Sequence, residues 1–284
     1  MGLSTTIYRK RRRMDMDILK TIERTFNAFH PKERAVALYV VNHPRDVREM
    51  KITQLAQVTH TSIATVNRFS QKIGCKSYAD FKIQLAVVTT EQRPVPAANS
   101  DDTLQQINEF YKHVINKSVE RLDEETITQV VAKISQARKI YVYGIGSSGL
   151  TAKEFETRLS RMGLTAFACT DSHSMKIAAS LLTAKDLVIC ISISGNTVEV
   201  IEAAQLARQQ GATIISFTSF QKSKLTETSE ITVLVYNALF LNRENFINSQ
   251  FSLMYLIDVL SVYLLRDPAH AADMARTISV IHPR

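Results

Sequence analysis

From residue 138 onward, short segments rich in valine and isoleucine alternate with longer amphipathic segments, and this alternation restricts the fold more than any other feature. Strands that are separated in this way by helices pair in parallel, and helices then cover both faces of the sheet. We therefore predict an α/β domain with a parallel five-stranded sheet flanked by helices. The predicted strands lie at 140–143, 165–169, 187–191, 213–217 and 231–235.

The residues before this region show only the helical spacing of apolar side chains. Apolar positions recur every three or four residues over 18–29, and Pro31 can begin a second helix because proline fits the first turn. Further helices are predicted at 52–58, at 63–73 and from Ser77 onward. The N-terminal part of the chain is therefore expected to be an all-α domain joined to the α/β domain.

A segment without periodicity separates the two patterns. Residues 89–100 contain Pro94 and Pro96, and this composition is typical of a linker. We therefore predict a helical domain at 1–88, whose residues 1–14 form a basic tail expected to be disordered, a linker at 89–102 and the α/β domain at 103–284.

The positive charge of the chain is concentrated in its first third. The 284 residues carry a formal net charge of +8, yet residues 1–100 hold 17 Lys and Arg against 8 Asp and Glu, whereas residues 101–284 hold 18 against 19. A basic module beside a nearly neutral one is expected when only the first meets a polyanion. The basic run at 9–13 contributes five of these charges, and the asymmetry remains without it.

The spacing of the cysteines and the length of the apolar stretches favour a cytoplasmic protein. Cys75, Cys169 and Cys190 lie far apart and form no C-x-x-C pair, which argues against a disulfide framework and a zinc site. No apolar stretch approaches the roughly 20 residues that a membrane helix needs. No apolar segment of the secretory-signal type follows the basic N-terminus. We expect a cytoplasmic protein without cofactor, metal or membrane contact.

The predicted helices at 52–58 and 63–73 are joined by a tight turn within the basic part of the chain. This is the geometry of a helix-turn-helix, whose second helix enters the major groove of DNA. Ile63, Val66 and Phe69 are predicted to face the core, which leaves small, hydrogen-bonding and cationic side chains exposed to read bases and phosphates. The predicted base contacts are Thr61, Ser62, Ala64, Thr65, Asn67 and Arg68, and the predicted phosphate contacts are Lys51, Lys72 and Lys76.

Two loops rich in glycine and hydroxyl groups follow predicted strands and precede predicted helices. They are G-I-G-S-S-G at 144–149 and S-I-S-G-N-T at 192–197. The first fits the dinucleotide fingerprint G-x-G-x-x-G, with Asp171 after the next strand, so an NAD-binding domain is one interpretation. The serines and the second loop instead favour a phosphate cradle of hydroxyl groups and helix amides. Open α/β sheets bind ligands at the carboxyl ends of their strands, where both loops are predicted.

The segment at 52–82 resembles the helix-turn-helix domain of the RpiR family of bacterial regulators. His60 departs from the family pattern, because such turns often carry Gly or Val. The resemblance implies a DNA-binding domain whose recognition helix begins at Ser62. The segments that carry it are L-A at 55–56, S-x-A-T-V-x-R-F at 62–69, K-x-G at 72–74 and F-K at 81–82.

The two loops together resemble the sugar isomerase (SIS) domain, in which S-x-S-G-x-T holds the phosphate of a phosphosugar and G-x-G-[ST]-S borders the sugar. The segment Asp171-Ser172-His173 resembles the D-x-H segment that lines the pocket in the regulator branch. Ile193 occupies a position that is polar in some members. The ligand-binding residues that the resemblance implies are Ser147, Ser148, His173, Ser192, Ser194, Gly195, Asn196 and Thr197.

The combination predicts a DNA-binding transcriptional regulator, a homodimer or homotetramer, whose SIS domain senses a phosphorylated sugar and alters binding to a double-stranded operator. The alternative is an aldose–ketose isomerase of phosphosugars with an accessory N-terminal domain, which needs a general base. The basic N-terminal third argues against an enzyme, because an isomerase has no use for it. The candidate bases are Glu154, Glu156, His173 and Glu244.

Overall fold

The computed structural model describes residues 18–91, 103–237 and 248–281. The basic run at 9–13 and Glu244 lie outside the described residues. The chain divides into two compact units, with the division after Asp102. We call residues 18–91 the N-terminal unit and the other described residues the C-terminal unit. None of the helices in the described ranges is long and apolar enough to cross a membrane.

The N-terminal unit is entirely helical over its described residues. Three phenylalanine rings meet in its core. The ring centroid of Phe69 lies 5.2 Å from that of Phe29 and 5.7 Å from that of Phe81. Its helices are α1 (Ile18–Thr25), α2 (Pro31–Asn42), α3 (Pro44–Glu49), α4 (Ile52–Val58), α5 (Ile63–Lys72) and α6 (Tyr78–Glu91), with a 3-10 turn at Phe26–Ala28.

Three boundaries in this unit differ from the sequence-based expectations. The first helix ends at Thr25 and the chain tightens into a 3-10 turn, although the apolar spacing continued to Phe29. A separate helix that was not among the predicted elements, α3, begins at Pro44, because proline fits the first turn of a new helix. Helix α6 extends to Glu91 and so enters the segment that was predicted to be a linker.

The C-terminal unit is the predicted α/β domain, and each observed strand begins and ends within one residue of its prediction. All neighbouring strands are parallel, in the order β2-β1-β3-β4-β5. The strands are β1 (Lys139–Tyr143), β2 (Ala166–Cys169), β3 (Asp186–Ile191), β4 (Thr213–Thr218) and β5 (Ile231–Leu234). The helices are α7 (Thr103–Val119), α8 (Glu124–Gln136), α9 (Ser147–Arg161), α10 (Ser172–Ser180), α11 (Val198–Gln209), α12 (Lys224–Thr228), α13 (Phe251–Leu264) and α14 (Pro268–Ile281).

Two hydrophobic layers cover the sheet. One contains Phe155 of α9 and Leu256 of α13 with inward side chains of the strands. The other contains Met175 of α10, Val200 of α11 and Leu225 of α12. Helices therefore lie on both faces, as a parallel sheet requires, and the fold class predicted from the sequence is confirmed.

The strand order determines where a ligand can bind. The chain leaves β1 to form β2 on one side and returns to form β3 on the other, so the order reverses between β1 and β3. Tyr143 and Cys190 pair near the carboxyl ends of these two strands. Ligands of open α/β sheets bind in the crevice at such a reversal. The two loops singled out in the sequence leave β1 and β3 at this position.

Candidate ligand cradle and nucleic-acid interface

The loop at 144–149, which we call the first loop, needs its glycines for its own shape. Gly146 has φ of 61°, a conformation that side chains disfavour. A Cβ on Gly144 would lie 2.5 Å from the carbonyl oxygen of Ser148, and a Cβ on Gly149 would lie 2.9 Å from that of Gly144. The G-x-G-x-x-G spacing therefore has a steric reason that does not involve a dinucleotide.

Asp171, which the dinucleotide interpretation would place on a ribose, is the N-cap of α10. Its carboxylate accepts a hydrogen bond from the Ser174 amide at 2.9 Å and another from the Ser174 hydroxyl at 2.7 Å. These hydrogen bonds, the amide bond first, lower the pKa of Asp171. The side chain therefore has a structural role at the start of α10.

The serines of the first loop begin α9 and adjoin a residue that the sequence analysis missed. Ser147 is exposed, and the hydroxyl of Ser148 donates a hydrogen bond to Oε1 of Gln250 at 3.3 Å. Thr151 donates to the same oxygen at 3.4 Å. Gln250 is buried and is the N-cap of α13, so it ties the first turn of α9 to that helix. No local pattern could have identified it, because the contact spans 102 residues.

The loop at 192–197, which we call the second loop, contains a hydrogen bond between two of its hydroxyl groups. Ser192 is buried, and its Oγ lies 2.9 Å from Oγ1 of Thr197 at the start of α11. The Oγ of Ser194 accepts a hydrogen bond from the Asn196 amide at 3.2 Å. Gly195 has φ of 63°, and a Cβ there would collide with Ser223. The four residues to which the resemblance gives a phosphate-binding role, and Asn196 beside them, thus lie in one compact turn.

Ile193 alone in the second loop points away from the crevice. Its side chain is buried in the same hydrophobic cluster as Phe155. Its carbonyl oxygen accepts hydrogen bonds from the Ser219 amide at 3.0 Å and the Thr218 hydroxyl at 3.2 Å. The isoleucine side chain therefore contributes to the core, while the backbone carbonyl at this position fixes the second loop to the end of β4.

The helices that follow the first four strands alternate in how they begin. Helices α10 and α12 are capped by Asp171 and Ser223, whose side chains accept hydrogen bonds from backbone amides. Helices α9 and α11 begin at Gly146 and Thr197 without such a side-chain cap. The first amides of a helix have no partner within the helix, and they favour an anion. The two helices without side-chain caps begin at the two loops beside the strand-order reversal.

The candidate bases differ in their surroundings. His173 is exposed in the first turn of α10, which follows β2. Glu154 accepts a hydrogen bond from Arg158 at 2.8 Å, and Arg158 also binds Asp258 on α13. Glu156 lies near Cys169, where burial first and nearby carboxylates second raise the pKa of the thiol to about 11. Within the described ranges, no group of three or more His, Cys, Asp or Glu side chains is arranged to hold a metal ion.

The helix-turn-helix of the N-terminal unit consists of α4 and α5. His60 in the turn between them has φ of 50°, which explains why glycine suits this position in similar turns. Ser62 is the N-cap of α5, and its side chain accepts a hydrogen bond from the Thr65 amide at 3.2 Å. The hydroxyls of Thr59 and Thr61 are hydrogen-bonded at 2.9 Å. The turn is therefore held by local hydrogen bonds.

Two side chains of α5 face the opposite way from the prediction. Ile63 was expected in the core, but it is 45% exposed, because it is the first helical residue and lies on the outer side of the helix. Thr65 was expected to face DNA, but it is only 5% exposed, and its hydroxyl lies 3.0 Å from that of Ser62. The other predicted contacts are exposed, apart from half-buried Thr61: Lys51, Ser62, Ala64, Asn67, Arg68, Lys72 and Lys76.

A buried carboxylate on α2 binds one of the predicted phosphate contacts. Glu33 accepts a hydrogen bond from Nζ of Lys72 at 2.6 Å and one from the His30 amide at 2.9 Å. Burial disfavours the charge of Glu33, but these hydrogen bonds outweigh burial, and the pKa of the carboxyl group lies below its ordinary value. Lys72 was predicted to contact phosphate, yet its ammonium group is already paired within the unit.

Comparisons with known proteins agree with both units. Residues 16–92 match the helix-turn-helix domain of the rpiR family, and residues 133–238 match the SIS domain. An uncharacterized HTH-type transcriptional regulator of Caldanaerobacter subterraneus subsp. tengcongensis is 31% identical over 252 residues, which are 87% of this chain and 89% of that protein.

Two solved structures are similar as well. The Vibrio vulnificus NanR protein complexed with ManNAc-6P has a TM-score of 0.59 and 28% identity, and the match covers 94% of this chain and 98% of NanR. The sugar isomerase domain of an RpiR transcription factor from Sphaerobacter thermophilus shares the fold, with a TM-score of 0.56, 18% identity and coverage of 62% and 98%. The chain therefore belongs to the RpiR family of helix-turn-helix transcriptional regulators and carries a C-terminal SIS domain.

Proposed function

We propose that the C-terminal unit binds a phosphorylated sugar and that this binding alters how the N-terminal unit binds operator DNA. One observation carries the ligand part. Of the four helices that follow the first four strands, α9 and α11 begin without a side-chain cap, and both begin at hydroxyl-bearing loops on adjacent strands. Their first amides are available to an anion, and helix N-termini bind phosphate groups in this way.

The chemistry of the loops favours a phosphate monoester attached to a neutral, hydroxyl-rich body. Neither loop contains a lysine or an arginine, so neutral donors would hold the phosphate. The proposed phosphate ligands are Ser192, Ser194, Gly195 and Thr197, with Asn196 in the same loop, while Ser147, Ser148 and His173 would line the sugar side of the pocket. The complex of NanR with ManNAc-6P supports this class of ligand.

The exposed face of α5 would read the operator. Arg68 and Asn67 carry the donors and acceptors that recognise guanine and adenine edges, and Ala64 and exposed Ile63 supply apolar contacts for thymine methyl groups. Helix-turn-helix dimers bind two half-sites about one helical turn apart, so we propose a homodimer or a homotetramer. The protein would act in the cytoplasm, where bacterial operators are found.

Regulation requires that the ligand bind two arrangements of the dimer with different affinity. We propose that the ligand changes the spacing of the two recognition helices and is not turned over. The surroundings of one candidate base support a sensor, because the carboxylate of Glu154 already accepts a hydrogen bond from Arg158.

A thermal-shift screen tests the ligand part. The probes are hexose and amino-sugar 6-phosphates, among them ManNAc-6P, each with its unphosphorylated counterpart. A ligand at 100 times its Kd stabilises the unit by about 2.7 kcal/mol, so the melting temperature should rise by about 5–10 °C. Equal shifts with and without the phosphate would contradict the phosphate cradle.

A second experiment tests the regulatory part with the sugar phosphate that gives the largest shift. DNA duplexes that the protein enriches from a random pool are used in gel shifts with and without this ligand, and the ligand should change the apparent affinity. The same protein concentration is incubated with the sugar phosphate, and its NMR spectrum is recorded over time. Conversion of the sugar phosphate to its isomer would instead support the isomerase.

A further inference from the structure

Glu33 is a buried carboxylate that lies outside the helix-turn-helix. Glu33 is in the first turn of α2 and is 2% exposed. A buried carboxylate is retained only if charged or hydrogen-bonding partners compensate for the loss of water. Two of its partners, Lys72 and Arg68, belong to α5, the proposed recognition helix.

The exposed guanidinium group of Arg68 is approached from two sides. Its Nε lies 4.0 Å from Oε1 of Glu33, and its Nη2 donates a hydrogen bond to the hydroxyl of Thr65 at 3.3 Å. The side chain nevertheless remains 64% exposed, so the group faces solvent in a restricted orientation. Reading guanine needs two parallel N–H groups from one guanidinium, and orientation therefore matters more for Arg68 than for a phosphate contact.

Glu33 neutralises Lys72, whereas it orients Arg68. Its ammonium group lies 2.6 Å from Oε2 of Glu33 and 3.4 Å from the carbonyl oxygen of Ala28. A cation that is paired with a buried carboxylate contributes little to the sequence-independent attraction of phosphates, because its charge is already compensated. Glu33 thus aligns one cation of α5 and neutralises another.

We propose that Glu33 is a positioning residue that increases the ratio of specific to non-specific DNA binding. It aligns Arg68 for a base edge and prevents Lys72 from attracting phosphates of any sequence. The proposal rests on the assignment of α5 as the recognition helix. It goes further in naming a residue on another helix that acts on sequence discrimination.

The test compares Glu33→Gln with Glu49→Gln in the full-length protein. Both variants remove one negative charge. Glu33→Gln releases Lys72 and Arg68 of α5, whereas Glu49→Gln releases Arg48, with which Glu49 pairs on the surface. Affinity is measured for the duplex enriched by the wild-type protein and for a scrambled duplex over a series of salt concentrations. We expect Glu33→Gln to lose about tenfold on the enriched duplex, a part of the value of one bidentate arginine contact.

The scrambled duplex should respond differently. The affinity of Glu33→Gln for the scrambled duplex should be unchanged or higher than that of the wild-type protein. The slope of log affinity against log salt concentration should steepen by up to about 0.9, because Lys72 gains a phosphate contact. For Glu49→Gln, both duplexes should change by the same factor. A uniform loss on both duplexes in Glu33→Gln would overturn the proposal, because that is the result of a purely structural role.

A double-mutant cycle with Arg68→Ala separates the positioning role from others. In the Arg68→Ala background, Glu33→Gln should no longer affect the enriched duplex, and a full additional loss would overturn the proposal. If Glu33→Gln does not fold, as judged by its melting curve, Thr65→Val removes the second contact to the guanidinium and should reduce discrimination in the same way. Arg68→Ala without any effect would overturn the assignment of the recognition helix and the proposal together.

Discussion

Helices α5 and α11 both begin at a residue with a hydroxyl group, but only the hydroxyl group of α5 caps the amides of its own helix. Ser62 is exposed, and its side chain accepts a hydrogen bond from the Thr65 amide of its own helix. Thr197 bonds instead to Ser192 across the second loop, and α11 has no side-chain cap. The first turn of α5 is therefore capped by its own side chain, and this helix would contact a partner through its exposed side chains. The first turn of α11 has no such cap, so its backbone amides remain available to a ligand.

The same contrast extends to charge. The N-terminal third holds the positive excess of the chain, and α5 presents exposed cations such as Arg68. The two loops of the C-terminal unit contain no cation. Both units are proposed to bind phosphate groups. The many phosphates of DNA are bound by exposed Lys and Arg side chains, whereas a single phosphate in a crevice can be bound by the backbone amides at a helix N-terminus.

The largest effect is expected where the first loop depends on glycine. In Gly144→Ala the new Cβ would lie 2.5 Å from the Ser148 carbonyl oxygen, so the backbone must shift. We expect a loss of about 3 kcal/mol in the free energy of unfolding, measured by urea titration with circular dichroism. Leu150→Ala in α9, the helix that follows the first loop, is the control, because Leu150 is exposed and its truncation should change the stability by less than about 0.5 kcal/mol. Equal losses would show that the loop is not tightly packed.

The next effect concerns the hydroxyl that does not cap its own helix. Thr197→Val keeps the shape of the side chain and removes the hydrogen bond to Ser192. If Thr197 binds phosphate, the ligand-induced thermal shift should reveal a loss of affinity of about 10- to 100-fold, the value of a hydrogen bond to a charged group. Operator affinity without ligand should not change. Thr157→Val, an exposed position on α9, is the matched control, and an equal response of the two variants would contradict the cradle.

A smaller effect is expected at the cap of α5. Ser62→Ala should reduce the stability of the N-terminal unit by about 1 kcal/mol, because the Thr65 amide loses its side-chain acceptor. Ser62→Gly should lose only a few tenths of a kcal/mol, since glycine is tolerated at an N-cap. Melting curves of the two variants check the order. If Ala and Gly are equivalent, the hydroxyl is not a cap and the contrast with Thr197 disappears.

The smallest expected effect is a gain in stability. His60 is in the left-handed region with φ of 50°, which is unfavourable by about 1–2 kcal/mol for a residue with a Cβ. Glycine removes this strain but has greater freedom in the unfolded chain, so His60→Gly should stabilise by about 0.5 kcal/mol. His43→Gly is the control, because His43 has φ of −127° and should lose stability. A rise in melting temperature for His60→Gly alone is the expected result.

Local patterns in the sequence were sufficient for most of the fold. The strands and the pair α4 and α5 are close to their predicted bounds, because alternation, helical spacing and capping residues act over a few neighbours. The phase of the first turn of α5 was wrong. The spacing of apolar residues placed Ile63 inside and Thr65 outside, but the hydrogen bonds between Ser62 and Thr65 turn the threonine inward.

The remaining features of the candidate sites depend on contacts between distant parts of the chain. Glu33 and Lys72 are 39 residues apart, and Ser148 and Gln250 are 102 residues apart. Neither pair has a local signature, and only the packing of α2 on α5 and of α13 on α9 brings them together. The residue types of the two loops could be read directly, because their turns require glycine and small polar residues.

The uncapped start of α11 has a consequence for the rate at which its backbone protons exchange with solvent. The amides of residues 198–200 precede the first hydrogen bond within the helix, which runs from the Ile201 amide to the Thr197 carbonyl. They should exchange rapidly in the free protein, although later residues of the helix such as Ala203 and Ala207 are buried against the sheet. A bound phosphate would slow them selectively, so deuterium uptake at these three positions gives a direct and local measure of occupancy.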